Sequence, residues 1–207
     1  MEMSSSPQRR TGRRAGPTQT RDAIAEAARA EFAERGYDRA TIRAIAARAG
    51  VDPALIVHFH GSKEGLFRDV MAVPGDVAAG LERLADGPRE TMGRRLAQVL
   101  VGALEEPESR GIVLGRVRSA SSHPEAADLV RRAVSSDILR LARAMSTDRP
   151  ELRATLIGTQ LVGLALARHI VRVEPLASLP PDDLVDVLAP VLQRYLTEPL
   201  EMPNSPA

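Results

Sequence analysis

Side chains able to run a reaction are scattered thinly along this chain. It has no cysteine, which excludes disulfide frameworks, thiolate nucleophiles and zinc sites built on cysteine. His58 and His60, two residues apart, would project about 200° apart on a helix and could not share a metal there. An extended segment could bring them together, but no third ligand accompanies them, so no metal is expected. His123 precedes Pro124 in a connector and is read as solvated. His169 sits on an apolar stretch, where a satisfied core histidine or a ligand contact would both fit. No Ser-His-Asp order, glycine-rich phosphate loop or isolated carboxylate pair stands out, and no cofactor is implied. Asp182-Asp183 reads as charge complementing a helix N-terminus.

What remains is cationic chemistry. The chain has 28 basic residues, all arginine except Lys63. Arg9, Arg10, Arg13, Arg14 and Arg21 face only Glu2 within the first 21 residues. The net charge of +1 conceals an asymmetry: residues 1–72 hold 12 basic and 9 acidic side chains, the remainder 16 and 18. A basic arm on a near-neutral body suits a polyanionic partner, or is simply a solvated tail.

The elements that must position these groups are helical. Of 207 residues, 43% are hydrophobic and 27% charged, ordinary for a globular chain with a core. Three-to-four spacing recurs nearly throughout, and no convincing strand alternation appears. Residues 1–17 read as a disordered basic arm. A helix starts at Thr20, carries the stripe Ile24, Ala27, Ala28, Phe32 and Ala33, and stops at Gly36. Thr41 caps a second helix ending at Gly50. Asp52 and Pro53 open a third, and Ser62 caps a fourth bearing Leu66, Phe67 and Val70. After a hinge at Pro74-Gly75, helices are expected over 76–85, 89–105, 108–120, 125–145, 149–173 and 181–197. The tail from 199 to 207 is expected to fray. The apolar run Ala154–Ala167 falls short of the roughly 20 residues a bilayer span needs. No apolar secretory segment opens the chain, so the expected location is cytoplasmic, without membrane contact.

Residues 41–63 are the informative stretch. Two short helices about Ala49-Gly50-Val51 fit a helix-turn-helix, in which the second helix enters the major groove. A plain helical hairpin fits the turn equally. The wider segment TRDAIAEAARAEFAERGYDRATIRAIAARAGVDPALIVHFHGSKEGLF, with its Gly36-Tyr37, Thr41-Ile42-Arg43, Ala49-Gly50-Val51 and Ser62-Lys63-Glu64, resembles the DNA-binding domain of the TetR family of transcriptional regulators. The segment TQLVGLALARHIVRVEPLASLPPDDLVDVLAPVLQRYLT resembles the last two helices of one subgroup. The resemblance implies an all-α fold, with a DNA-binding domain over 18–73 and an effector-binding and dimerisation domain over 74–198. It implies a DNA surface of Thr41, Arg43, Asp52, Pro53, Ala54, Leu55, His58, Phe59 and Lys63, with Arg13, Arg14 and Arg21 adding affinity. Val57, Phe59 and His60 depart from the family pattern, which usually has an aromatic at the first and His or Tyr, then Phe, at the others. His58 or His60 could take over the phosphate contacts so lost.

Helix 149–173 is apolar nearly all round and must be covered on two sides. Its Thr159, Gly163 and Ala167 form a small-residue ridge permitting close helix approach. In 181–197, Leu184, Leu188, Val191 and Tyr195 lie on one apolar stripe, with a kink expected at Pro190. These are expected to form a homodimer interface. Arg116, Arg118, Gln160 and His169 are candidate linings for a cavity holding a small-molecule effector. The implied function is a repressor, not an enzyme, bound to a palindromic operator as a homodimer and released by that effector. Alternatives are a ligand-independent activator and a helical enzyme or interaction module.

Overall fold

A computed structural model describes residues 17–72, 75–84, 86–133, 138–145 and 148–200. Every regular element among them is helical. The first four are α1 (Pro17–Arg39), α2 (Ile42–Ala49), α3 (Pro53–His60) and α4 (Lys63–Val70). The rest are α5 (Gly75–Leu84), α6 (Met92–Glu105), α7 (Pro107–Ala120), α8 (Pro124–Ala133), α9 (Leu139–Met145), α10 (Pro150–Leu164) and α11 (Pro181–Thr197). α1 starts at Pro17, earlier than the expected Thr20, because proline's fixed φ suits a first helical turn. Gly36, at φ 72° and ψ 173°, breaks its geometry, yet a last turn follows.

The stretch expected as one helix over 125–145 appears as α8 and α9, with residues 134–137 between them outside those described. α10 passes directly into a π-helical run, Ala165–Val171. Together Pro150–Val171 make 22 residues, within which an 18-residue window has mean hydropathy 1.4 and is 33% buried. By length and composition that run could cross a membrane, which corrects the argument from Ala154–Ala167 alone. Two buried arginines tie it into protein instead. Arg153, 1% exposed, donates to the carbonyls of Asp148, Tyr195 and Glu198 and to the Asp148 carboxylate. Arg168 bonds Glu105 and the carbonyls of Leu176 and Leu179. α11 is assigned continuously through Pro190, which lies on its exposed side.

Two cores form. One gathers Ile24, Ala28, Phe32, Ile45, Ile56, Leu66 and Phe67 from α1–α4, with Ile112 of α7 and Ala126 of α8. The other packs α5, α6, α9, α10 and α11. α6 and α11 approach closely at Gly93, where a Cβ would stand 2.4 Å from the Ala189 carbonyl oxygen. The Gln193 side chain accepts from the Gly93 amide at 2.6 Å and donates to the Arg89 carbonyl.

The first core therefore crosses the hinge expected near Pro74. Arg29 pairs with Glu108 at 2.8 Å. The Tyr37 amide donates to Ser119 Oγ, and the Arg116 guanidinium donates to the Met71 carbonyl. His123, expected in solvent, stacks on Tyr37 with centroids 3.6 Å apart.

Candidate nucleic-acid interface

Local capping builds the segment 41–63. Thr41 Oγ1 accepts from the Ala44 amide at 3.1 Å and opens α2. Gly50, at φ 67° and ψ 32°, takes the left-handed conformation that closes it. The Val51 amide then returns to the Ala46 carbonyl, which sets the turn. The Asp52 carboxylate accepts from the Ala54 amide at 2.7 Å, with Pro53 in the first helical turn of α3. Ser62 Oγ accepts from the Gly65 amide at the start of α4. Ile45, Ala46 and Ile56 turn inward and fix how α2 and α3 pack. This is a helix-turn-helix seated on the first core, not a free hairpin.

Burying Ile56 leaves the opposite side of α3 open. Asp52, Pro53, Ala54, Leu55 and His58 are all exposed, as expected. Val57, left out of the expected DNA surface as a departure from the family pattern, is 50% exposed and the most open large apolar side chain of this helix. Its alternation with buried Ile56 was the signal that could have found it.

Thr41 and Arg43 stand at the exposed start of α2. Arg43 has no ion pair among the described residues, so its guanidinium is available. Arg48, on the same helix, is held by Glu34 at 2.7 Å and Glu31 at 3.8 Å. Hydrogen bonding from Arg48 holds the Glu34 carboxyl below the usual carboxylate range.

Three expected contacts sit differently. Phe59 is half-buried against the first core, with the Arg21 guanidinium 4.8 Å above its ring, so it is packing rather than open groove surface. His60 turns to Asp69, Nδ1 to Oδ2 at 2.7 Å, and its Nε2 is buried without a partner, so it cannot replace a lost phosphate contact. Lys63 lies at the start of α4, but its ammonium rests 4.2 Å from the Tyr37 ring centre. Burial there lowers its pKa. Arg13 and Arg14 lie outside the described residues.

The remaining candidate residues divide. Thr159 and Gly163 are exposed, Ala167 half-buried, and a Cβ at Gly163 would meet nothing within 4 Å. The ridge thus faces outward. Leu184 and Leu188 do not: they are 2% and 6% exposed and pack inside the second core. Tyr195 also packs against that core. Helical rotation brings Val187, 61% exposed, and Val191, 39% exposed, to the open face instead.

Of the effector candidates, Arg116 lines an apolar cavity of about 60 Å³ with Val113, Val117, Val130, Ile138, Gly158, Leu161 and Val162. Arg118, Gln160 and His169 do not line it. Arg118 belongs to the α1–α7 junction, its carbonyl lying beside Gly36. His169 is half-buried, and burial lowers its pKa.

Residues 24–70 match the model for bacterial regulatory proteins of the tetR family. Residues 90–196 match the tetracyclin repressor-like C-terminal domain. A TetR-family regulator from Streptomyces coelicolor A3 is 34% identical, with a TM-score of 0.60 over 90% of this chain and 99% of that one. NalD, the secondary repressor of the MexAB-OprM multidrug efflux pump in Pseudomonas aeruginosa, is 21% identical with a TM-score of 0.65, covering 87% and 96% of the two chains, which shows the fold. The HTH-type transcriptional repressor AcnR of Corynebacterium glutamicum is 39% identical over 92 residues, a match spanning 44% of each chain. With one family model over the helix-turn-helix and the other over most of the helices behind it, this chain belongs to the TetR family of transcriptional regulators.

Proposed function

We propose that this protein is a cytoplasmic, homodimeric repressor that binds a palindromic operator and leaves it when a small molecule occupies the C-terminal domain. The observation that carries the reading is the open face of α3 beside an unpaired Arg43. In a major groove, Leu55 and Val57 supply apolar contacts for thymine methyls, and Arg43 a bidentate donor for a guanine edge or a phosphate. Thr41, Asp52, Pro53, Ala54 and His58 fill out that surface. Lys63, once it leaves Tyr37, and Arg21 grip phosphates, and Arg13 and Arg14 add charge from the arm. Repression is carried over from the names of AcnR and NalD.

The dimer follows from the outward ridge Thr159, Gly163 and Ala167 together with exposed Leu166, Val187 and Val191. A helical run so apolar and so little buried in one subunit needs a second copy over it. Two-fold symmetry then sets the half-sites about 34–36 Å apart, or a multiple of that.

The test is recovery of genomic fragments bound by the intact protein. The expected result is one enriched inverted repeat, lost with Arg43→Ala. Fragments without a shared motif would overturn the reading.

A further inference from the structure

The cavity between α7, α8 and α10 is apolar on every side but one. Arg116 is 7% exposed. Its guanidinium has five N–H donors, and among the described residues they meet one acceptor, the Met71 carbonyl, reached from Nε and Nη2. Among the described residues no carboxylate pairs with it. Burial alone accordingly draws its pKa from the usual arginine value down to about 10. A buried cation without a counter-ion is costly, and this one stands beside an empty apolar space. The other deeply buried arginines are answered by acids: Arg153 by Asp148 and Arg168 by Glu105.

We infer that this cavity is the effector site of the proposed regulator and takes a small monocarboxylate, its apolar body among Val113, Val117, Val130, Ile138, Leu161 and Val162 and its carboxylate on Arg116. A carboxylate accepts two parallel bonds from a guanidinium, and the pairing strengthens beside apolar walls. The size suits a short alkyl chain: 60 Å³ holds a handful of water-sized spheres at about 10–15 Å³ each. A cationic or dianionic molecule does not fit a single cation in an apolar wall.

Met71 closes α4, its amide bonding the Phe67 carbonyl. The same guanidinium thus holds the end of the helix that follows the recognition helix. A carboxylate drawing Arg116 toward the cavity weakens its hold on Met71. Gly115 keeps that contact close, since a Cβ there would stand 2.9 Å from the Met71 thioether. Ligand and operator therefore compete for the position of one side chain.

The inference rests on the proposed regulator reading, and the test separates the two. The intact protein is titrated calorimetrically with pentanoate, 1-pentanol and pentylamine. The expected result is that pentanoate binds at least about tenfold more tightly than either isostere, as a charge-assisted pair would give. Val162→Phe fills the cavity while leaving the Arg116 side chain unsubstituted and should abolish pentanoate binding. Arg116→Met should erase the preference for pentanoate over pentanol. If Arg116→Met fails to fold, Val162→Phe and the pentylamine comparison decide. Equal binding of pentanoate and pentylamine, or binding unaffected by Val162→Phe, overturns the site. On the recovered operator, pentanoate should weaken affinity about fivefold or more, and unchanged affinity with pentanoate bound overturns the link through Met71. Failure to bind any operator without pentanoate overturns the regulator reading alone, because the calorimetry needs no DNA.

Discussion

The helix-turn-helix and the α10–α11 region are stabilised by different means. In the first, each start and turn is fixed by neighbours in sequence: Thr41 with Ala44, Gly50 with Ala46 and Ala47, Asp52 with Ala54, Ser62 with Gly65. In the second, the ties span tens of residues. Arg153 reaches the carbonyls of Tyr195 and Glu198, and Gln193 reaches Gly93 and Arg89. The first region leaves polar and apolar groups open on a short helix, while the second leaves open an apolar face with a small-residue ridge. Local encoding gives a preformed reading head, and long-range encoding gives a surface that a second subunit can complete.

The sharpest way to break the contrast is at Gly163. Space for a side chain exists there within one subunit, so Gly163→Arg should keep the fold and disrupt only the dimer. Operator affinity should fall by about 10²–10⁴ because the half-sites lose their tether. Sedimentation together with operator titration checks this, and an intact dimer would contradict the interface. Arg153→Met comes next. It should cost about 3 kcal/mol by stranding the carbonyls that close α11, read as a lower denaturation midpoint. Arg43→Ala should cost about 1–3 kcal/mol of discrimination between operator and scrambled duplex. Arg48→Ala, whose partner is Glu34 rather than open solvent, should leave discrimination unchanged. Gly50→Ala should lose about 1–2 kcal/mol of stability from its left-handed φ alone.

The smallest effect concerns pH. Burial, reinforced by Arg168, Arg110 and Arg172 against the opposing pull of Glu105, lowers the folded pKa of His169 from 6.5. Below about pH 6.5 the unfolded chain takes up a proton that the native chain resists. The stability contribution is complete above that pH and is lost as pH falls. His169→Gln should flatten this part of the stability–pH curve, measured by thermal melts between pH 7.5 and about 5.

The same contrast explains what could be read from residues alone. Caps, Gly50 and the stripe on α1 carry their meaning in a few neighbouring positions, so α2, α3 and the exposure of Asp52, Pro53, Ala54, Leu55 and His58 were legible. Inward-turning Leu184 and Leu188 were not, because the apolar stripe of α11 is wide and only its packing against α6 shows which edge is inside. Phe59 and His60 were misplaced for a related reason. Their burial depends on Arg21 and Asp69, which belong to other helices. Arg116 was singled out by type alone. That, among the described residues, it is buried with a carbonyl and no acid as its partner follows from where α7 meets α4, which no spacing announces.

Ile112 and Ala126 complete the core beneath α1–α4, and this bears on how the chain can be cut and recombined. The seam in sequence near Pro74 is not the seam in space. A fragment ending there would carry its reading head but uncover the side of α1 at Arg29 and Phe32 that packs against Gly111 and Gly115 of α7. A chimera that joins this reading head to another regulator's body at the same point would inherit a mismatched floor. The transplantable unit is α1–α4 together with α7 and the start of α8, so exchange among relatives must preserve a discontinuous module and the complementarity of its two halves.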